Sequence, residues 1–430
     1  MERDIVSMSQ KERTRYHLLR MVMEQRVTLK EASVKMGLSY RQAKRVKKKF
    51  ETEGAKGLVH GNRGHLSPRG LDCALRERIL ELSRTRYKEF NDTHFTEKLR
   101  EVEDVKVSRE TVRRLRRSEG IKPKRKRRPQ KHHRRRPRKP QEGMMVLWDG
   151  SPHKWFGPDT EPCCLLSAVD DATSRLLWAL FIEYEGSHGY LWLLKEIVSR
   201  YGLPLSIYHD RHGSLWRNDD HWTLEEQLAG EQEPTQVGQA LKELGITAIP
   251  ALSPQAKGRV ERLFGVLQDR LIAEMGLLGL KDIHQANHFL HQTFIEDYNR
   301  RFARPPQDAQ PAWRKLPQGL DLDKVISFRY QAVVLNDNTV RLGGLIIDIP
   351  EGPKHRGYAK AKVEVRQLLD GSWRVYYHDK LIARHQTTPL KEPIKARRRR
   401  KNRTKAANEV TWIYLQSAPQ ASQAFVLETG

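Results

Sequence analysis

A run of basic residues and prolines limits what this chain can fold into more than any other feature. The run, KPKRKRRPQKHHRRRPRKP, extends from Lys122 to Pro140 with four prolines and no acidic residue. Its like charges repel one another and its prolines interrupt helices, so the segment cannot build a core. We therefore predict an extended basic linker over residues 122–143 that follows DNA phosphates or a minor groove, a purely solubilising linker being the alternative. The side chains expected to contact DNA are Lys124, Arg125, Arg127, Arg134 and Arg135.

The charge of the whole chain favours the same kind of partner. Its 430 residues include 79 Lys and Arg against 53 Asp and Glu, a net charge of +26. A surplus of this size favours nucleic acid as the partner. We find no apolar run of roughly 18 residues and no signal peptide, so we expect no membrane association. The cysteines, Cys73, Cys163 and Cys164, lack metal-site spacing and are expected to be core thiols in a reducing cytoplasm.

The first 65 residues carry the pattern of a helix-turn-helix DNA-binding domain, predicted over residues 1–65. Three helices are expected, the second capped by Thr28 and the third by Ser39. Ala43 and Phe50 of the third helix would face inward, which leaves a polar, basic recognition face suited to a major groove. That face consists of Tyr40, Arg41, Gln42, Arg45 and Lys48. A basic three-helix bundle without DNA-binding function is the alternative.

A second helical unit is predicted over residues 66–121. Its last helix opens at a capping Ser108 in the stretch SRETVRRLRRSEG, where Val112 and Leu115 would point inward. This pattern again indicates a helix-turn-helix, and two such units in tandem suit recognition of a long DNA end. The side chains expected to stay exposed and contact DNA are Arg109, Arg113 and Arg116.

From Met144 onward the sequence changes to buried strands and amphipathic helices. Three strands, a helix, a strand, a helical stretch, a strand and a helix match the order of a ribonuclease H-like fold with a mixed sheet. We predict this α/β core over residues 144–312, with an acidic insert at about 214–245 that lies away from DNA phosphates or contacts another subunit.

The remainder of the chain is predicted to be β-rich. Asn-Asp-Asn and Asp-Gly turn signals separate short strands, which predicts a small antiparallel β-barrel over residues 320–392. Residues 393–430 form a basic linker and a tail that docks on a partner or stays disordered. The fold class is therefore multidomain: all-α helix-turn-helix front domains, an α/β core and a small barrel.

Three carboxylates stand where such a sheet would bring them together. Asp149 ends the first strand, Asp210 ends the fourth, and Glu261 opens the helix after the fifth. Hard oxygen ligands in this arrangement hold two Mg²⁺ ions about 4 Å apart. One metal would activate a water or a 3′-hydroxyl and the other would stabilise the leaving oxygen. Each acid alone has an ordinary structural explanation, as a turn, cap or helix-dipole residue.

Other polar residues near these acids have weaker claims. Asp170 and Asp171 lie in the turn between the second and third strands and are interpreted as structural. The histidines that flank the acids either bind DNA or tune a ligand, or have neither role; they are His153, His209 and His212. In the helix of Glu261, SPQAKGRVERLFGVLQDRL, the side chains expected to face DNA are Arg259, Arg262 and Arg270.

Five stretches together resemble a bacterial insertion-sequence transposase: WDGSPHKWF, VDDATSR, YHDRHGS, SPQAKGRVERLFGVLQDRL and DYNRRFARPP. The resemblance is to the DDE transposases of the retroviral-integrase superfamily, with the layout of the ISNCY group. It implies that Asp149, Asp210 and Glu261 are the metal ligands, that Gly258 and Arg259 form the turn before the Glu helix, and that Asn299 belongs to the exit motif. It further implies Mg²⁺, replaceable by Mn²⁺, as the cofactor.

The resemblance also implies an activity and an assembly. Such an enzyme binds terminal inverted repeats, cleaves the 3′ ends and joins them to target double-stranded DNA as a homo-oligomer, at least a dimer on paired ends. This chain departs from the family in the long interval between Asp210 and Glu261 and in Gln268, where many relatives carry Lys or Arg; Arg262 or Arg270 would then replace that contact. The alternatives are a catalytically silent DNA-binding regulator and a metal-dependent ribonuclease or resolvase.

Overall fold

The computed structural model describes residues 7–61, 70–124, 136–217, 219, 221–251 and 258–388. The chain divides into two compact units, Met1–Glu81 and Leu82–Gly430. The predicted DNA contacts Arg125, Arg127, Arg134 and Arg135 and the predicted tail at 393–430 lie outside the described residues. Across the part of the chain that is described, no helix is long and apolar enough to cross a membrane.

The first unit contains the three helices that the sequence predicts. They are α1 (Gln10–Met23), α2 (Leu29–Lys35) and α3 (Tyr40–Glu53), followed by a 3₁₀ turn at Gly54–Leu58 and by α4 (Cys73–Arg84), which runs across the boundary between the units. Thr28 and Ser39 cap α2 and α3 through their side-chain oxygens, as predicted. Leu19, Ala32 and Ala43 are fully buried and form the centre of this small core.

The second unit begins with two further helices, α5 (Asp92–Glu101) and α6 (Arg109–Ser118). Arg109 and Arg113 are exposed, as expected, but the prediction for Arg116 is wrong: its side chain is buried. It donates hydrogen bonds to the backbone oxygen of Phe90 and to Asp92, at 3.1 and 2.9 Å. Arg116 follows the buried Val112 by one helical turn, so both side chains lie on the inner face of α6.

A mixed five-stranded sheet forms the centre of the second unit, as the sequence predicts. Its strands are β1 (Val146–His153), β2 (Cys163–Asp170), β3 (Leu176–Ile182), β4 (Ser206–His209) and β5 (Thr247–Pro250). Their spatial order is β3-β2-β1-β4-β5, with β1, β2 and β3 antiparallel and β4 and β5 parallel to β1. All eight residues of β2 are buried, including the polar Ser167 and Asp170, as expected for a strand covered on both faces.

Helices pack against this sheet and close its outer edge. They are α7 (Ser187–Tyr201), α9 (Gln236–Glu243), α10 (Gly258–Leu277), α11 (Ile283–Phe289) and α12 (Ile295–Phe302), with a π-helical turn at Leu290–Phe294. The short helix α8 (Leu224–Ala229) lies between β4 and α9 in the chain, and its Leu224 and Leu228 are exposed. The outer edge of β3 is closed by amide side chains. The side-chain amide of Asn287 accepts a hydrogen bond from the backbone N–H of Phe181 and donates one to its backbone oxygen. Asn299 makes the same two hydrogen bonds with Leu176, and all four distances are 2.7 to 2.9 Å.

The C-terminal part forms open sheets, so the prediction of a closed barrel is not upheld. After α13 (Leu322–Val325) come β6 (Phe328–Val333), β7 (Thr339–Leu342), β8 (Leu345–Asp348), β9 (Lys362–Gln367), β10 (Trp373–Tyr377) and β11 (Lys380–His385). Four strands pair in the order β11-β10-β9-β6, and β7 and β8 pair only with each other. The β7–β8 hairpin lies between β6 and β9 in the chain and forms a separate two-stranded sheet. The four-stranded sheet therefore ends at β6 and β11 and does not close into a barrel.

Candidate active site

The pairing of β1 with β4 relates two of the three predicted acids, Asp149 and Asp210, although Asp149 lies in the middle of β1 and not at its end as predicted, because β1 continues to His153 in its pairing with β2. The strands run parallel, with Val146 opposite Ile207 and Leu147 opposite Tyr208. Asp149 and Asp210 each follow the second of these pairs by two residues. Two residues return a side chain to the same face of a strand, so the register, continued past the second of these pairs, would direct both carboxylates to the same face of the sheet. Both are half-buried.

A further carboxylate, Glu185, lies at the same place, and the sequence analysis missed it. It precedes α7, and its side chain is only 14% exposed. A Cβ at position 150 would lie 2.6 Å from the Glu185 carboxyl carbon, so Gly150 permits this carboxylate to approach β1 directly after Asp149. The glycine in the stretch WDG was the available signal, but the sequence does not indicate which side chain fills the space beside it.

Tyr190 of α7 lies in the negative electrostatic environment of Glu185, Asp210 and Asp149. Its hydroxyl is buried and donates a hydrogen bond to Glu185 Oε1 at 2.6 Å. Burial raises the pKa of Tyr190 well above its ordinary value, and the charges of Glu185, Asp210 and Asp149 raise it further. Burial likewise raises the pKa of the Cys164 thiol to about 12, with Glu185 and Asp149 contributing. The three carboxylates therefore share one electrostatic environment.

Of the three flanking histidines, His212 has the clearest structural relation to these acids. Its backbone N–H donates to Asp210 Oδ1 at 2.9 Å, and its ring Nδ1 is 3.9 Å from Glu185 Oε1. His209 is fully buried at the end of β4, whereas His153 is exposed at the end of β1. His212 thus orients one acid through its backbone and faces another through its ring.

Glu261 lies in the first turn of α10 and is exposed. Seven residues later on the same helix, Gln268 donates its amide to the hydroxyl of Ser151 at 3.3 Å. Seven residues are close to two helical turns, so Glu261 and Gln268 share one face of α10. Ser151 in turn shares a strand face with Asp149. The face of α10 that carries Glu261 is therefore the one in contact with β1.

The structure does not gather all three predicted ligands into one cluster. Within the described ranges, which omit 252–257 directly before α10, no three His, Cys, Asp or Glu side chains form a group that could hold a metal ion. Asp149 and Asp210 are related by the register of β1 and β4, and both their charges raise the pKa of Tyr190. Glu261 is related to them through the face of α10 that contacts β1.

Asp170 and Asp171 have the structural roles that the sequence suggested. Asp170 accepts hydrogen bonds from the backbone of Gly143 and from both the backbone and the hydroxyl of Thr173. Asp171 is fully buried and forms ion pairs with Arg136 and Arg259. Arg259 is therefore held by a carboxylate rather than left open toward DNA as predicted.

The other predicted DNA contacts fall into two groups. Lys124 is ion-paired with Asp269, and Arg270 is buried in an ion pair with Glu97, so the DNA-facing prediction for Arg270 is wrong. Arg270 follows the buried Leu263 and Leu267 on the inner face of α10, where Glu97 of α5 supplies a partner. The residues that are exposed as predicted are Tyr40, Arg41, Gln42, Arg45, Lys48, Arg109, Arg113 and Arg262.

Comparison with solved structures finds similarity to viral integrase chains. A chain of the simian T-cell lymphotropic virus intasome in complex with PP2A regulatory subunit B56 gamma matches 74% of this chain and all of its own, at 14% identity and a TM-score of 0.29. Two structures of the HTLV-2 integrase catalytic core domain in complex with magnesium each match 36% of this chain, with TM-scores of 0.24 and 0.26.

Sequence comparison gives stronger relationships. Residues 14–65 match the model of a helix-turn-helix domain. A protein of Streptococcus pneumoniae, "Transposase for insertion sequence IS1202", is 28% identical over 91% of both chains. A protein of Sinorhizobium fredii, "Putative transposase y4bF", is 34% identical over 85% of this chain and 79% of its own. Since the identity with this relative extends over most of both proteins, the chain belongs to the family of bacterial insertion-sequence transposases.

Proposed function

We propose that this transposase binds the terminal inverted repeats of an insertion sequence, cleaves their 3′ ends and joins them to target DNA. The observation that carries the proposal is the parallel register of β1 and β4, in which Asp149 and Asp210 each follow the second paired residue by two positions. The strand order β3-β2-β1-β4-β5 with flanking helices supports assignment of this unit as a ribonuclease H-like integrase core. The enzyme acts in the bacterial cytoplasm as a homo-oligomer, at least a dimer on paired ends.

Asp149 and Asp210 fit a divalent metal because their donors are hard carboxylate oxygens and both residues are half-buried, whereas Glu261 is exposed on the helix that contacts β1. We assign Asp149, Asp210 and Glu261 as the residues that hold Mg²⁺, with Mn²⁺ as a substitute. Two such ions, when bound, supply activation of a water or 3′-hydroxyl and stabilisation of the leaving oxygen. The protein itself orients Asp210 through the His212 backbone, and Gln268 holds α10 against β1.

The DNA-binding surfaces follow from exposed basic side chains. On α3 the exposed face is polar and basic, and it lies within the matched helix-turn-helix domain. This face suits reading of a major groove, with α6 as a second contact through Arg109 and Arg113. Arg262 lies next to Glu261 and is placed to contact a phosphate near the cleaved bond. The basic linker then follows the DNA between these sites.

An assay on DNA ends tests the proposal. A labelled duplex with the sequence that flanks the gene is incubated with the full chain, Mg²⁺ and a supercoiled target plasmid. We expect release of a 3′ end and its joining to the plasmid, both lost in Asp149→Asn and in Asp210→Asn. The matched control is Asp159→Asn, an exposed carboxylate in the loop after β1, which should keep both activities.

Each outcome separates the alternatives. A DNA-binding regulator would shift the duplex in a gel without cutting it, and a nuclease or resolvase would cut without joining. Cleavage at the wild-type rate by Asp149→Asn would overturn the proposal, because the residue at the centre of the site would then be dispensable.

A further inference from the structure

A fully buried carboxylate connects the end of the basic linker to the helix that carries Glu261. Asp171 follows β2 directly, and its backbone N–H donates to the oxygen of Met145, the residue before β1, at 3.0 Å. Its position is therefore fixed relative to the first strand of the sheet. Its carboxylate points to segments that arrive from two distant parts of the sequence.

The first of these segments is the described end of the linker. Arg136 donates to Asp171 Oδ1 at 2.6 Å, and the backbone N–H of Lys139 donates to Oδ2 at 2.8 Å. Arg138 adds two hydrogen bonds, to the backbone oxygens of Asp171 and Ala172, at 2.8 and 3.2 Å. Residues 136–139, at the end of the strongly basic linker, are therefore bound to Asp171 through its carboxylate and its backbone.

The second segment is the first turn of α10. Arg259 donates a hydrogen bond from Nη1 to Asp171 Oδ1 and another from Nη2 to the backbone oxygen of Arg136. It therefore contacts both the buried acid and the linker. Arg259 precedes Glu261 by two residues. A shift of the linker end by a fraction of an ångström would thus be passed on to the turn that presents Glu261.

The surroundings of Asp171 carry surplus positive charge. Burial lowers the pKa of Arg138, and nearby Arg259, Arg304 and Arg262 lower it further, against the single opposing charge of Asp171. Without that carboxylate the guanidinium groups would repel one another, and the contacts between linker and helix would separate. A phosphate group near the junction would instead reinforce them.

We propose that Asp171 is a positioning residue, which couples DNA binding by the basic linker to the placement of Glu261 through Arg136 and Arg259. This inference rests on the proposed function and adds a route by which bound DNA completes the active site. Glu261 lies in the first turn of α10, where the backbone N–H groups have no partner within the helix, so the placement of this turn depends on contacts such as that of Arg259 with Asp171.

Hydrogen–deuterium exchange on the full chain tests the coupling without relying on catalysis. In the wild type, adding the duplex end should slow exchange of amides 258–264. In Asp171→Asn we expect this DNA-dependent protection to fall at least about threefold, while exchange in β2 and DNA affinity stay near wild type. A purely structural role for Asp171 would instead raise exchange across the sheet with and without DNA, and that result would overturn the proposal.

A second variant and an activity measurement complete the test. Arg259→Lys keeps the charge but cannot bridge two oxygens, so it should reproduce the loss of protection even if Asp171→Asn fails to fold. Glu196→Gln, at a solvent-facing pair on α7, is the control and should behave as wild type. Cleavage should slow about 10- to 100-fold in the two test variants, with the Mg²⁺ midpoint raised.

The failure modes are distinguishable. If the wild type binds the duplex but never cleaves it, the proposed function fails, and the exchange data still decide whether Asp171 links the two segments. Unchanged protection of residues 258–264 on DNA binding in the wild type, or wild-type protection in both variants, would refute the coupling.

Discussion

Tyr190 donates its buried hydroxyl to Glu185 at 2.6 Å, which anchors a third carboxylate in the surroundings of Asp149 and Asp210. The arrangement depends on Gly150, because any side chain there would occupy the space of the Glu185 carboxylate. Tyr190 thus holds Glu185 through a hydrogen bond, and Gly150 leaves the space that the Glu185 carboxylate occupies. We expect Glu185 to orient or supplement the residues proposed to hold the metal.

Gly150→Ala should impair cleavage without unfolding the protein. The new Cβ would lie 2.6 Å from the carboxyl carbon of Glu185, so that side chain has to move away from Asp149. Displacing a residue that supports metal ligands typically costs about 10- to 100-fold in activity. Cleavage rates and thermal melting of the variant measure the two effects. Gly213→Ala, close to Asp210 but with no atom within 4 Å of its Cβ, is the control; equal rates in both variants would contradict the role of Gly150.

The outer edge of β3 gives a prediction about stability. Asn287 and Asn299 each satisfy one backbone N–H and one C=O that would otherwise be unpaired on an edge strand. Replacing either by Ala should lower the free energy of unfolding by about 1–3 kcal/mol, because buried polar groups lose their partners. Urea denaturation measures the loss and light scattering the resulting self-association. The exposed neighbour Gln292→Ala should change neither; comparable losses in all three would argue against edge capping.

Much of the fold could be predicted from local sequence patterns. Ser39 and Ser108 cap their helices as expected, and the buried run of β2 was identified as a strand. These features depend on residues close in sequence. The register that aligns Asp149 with Asp210 was inferred only through the order of the strands, and the structure supplies it directly.

The errors have a common physical origin. Arg116 and Arg270 were expected on the surface because they are charged, yet each finds a carboxylate on a distant helix, Asp92 or Glu97, that permits burial. Glu185 could not be identified from the sequence because its position beside Asp149 depends on Gly150, which lies 35 residues earlier. No sequence pattern links these two positions. Contacts between distant segments decide such cases, and periodicity within one helix or strand does not report them.

A buried histidine should make the second unit less stable below neutral pH. Burial lowers the pKa of His94, although Glu274 opposes this with a hydrogen bond; Arg270 and Lys98 lower it further. Since the unfolded chain binds the proton more readily, the contribution of neutral His94 to the free energy of unfolding should be fully present above about pH 6.5. It should decline as the pH falls below this value, by at most about 1.4 kcal/mol per pH unit. The pKa of His291 is lowered by burial in the same direction and adds to the slope.

Melting temperatures at pH 7.5 and 5.5 measure this dependence. His94→Gln keeps a donor for Glu274 but cannot take up the proton, so its loss on acidification should be smaller than that of the wild type. The exposed His284→Gln is the control and should retain the wild-type slope. A wild-type slope in His94→Gln would show that this histidine does not contribute.

Two arginines on one helix should separate DNA binding from stability. Arg113 is exposed on α6 and paired only with the surface carboxylate Glu110, whereas Arg116 is buried against Asp92. If Arg113 contacts phosphate, Arg113→Ala should weaken binding of the duplex end and reduce its salt dependence by about one unit of slope, with no loss of stability. Arg116→Met should instead lower the free energy of unfolding by about 2–3 kcal/mol, somewhat below the usual cost of breaking a buried pair because Arg117 still contacts Asp92. Binding titrations at several salt concentrations and urea denaturation distinguish the two, and a reduced salt slope in a fully folded Arg116→Met would restore that residue to the DNA-binding surface.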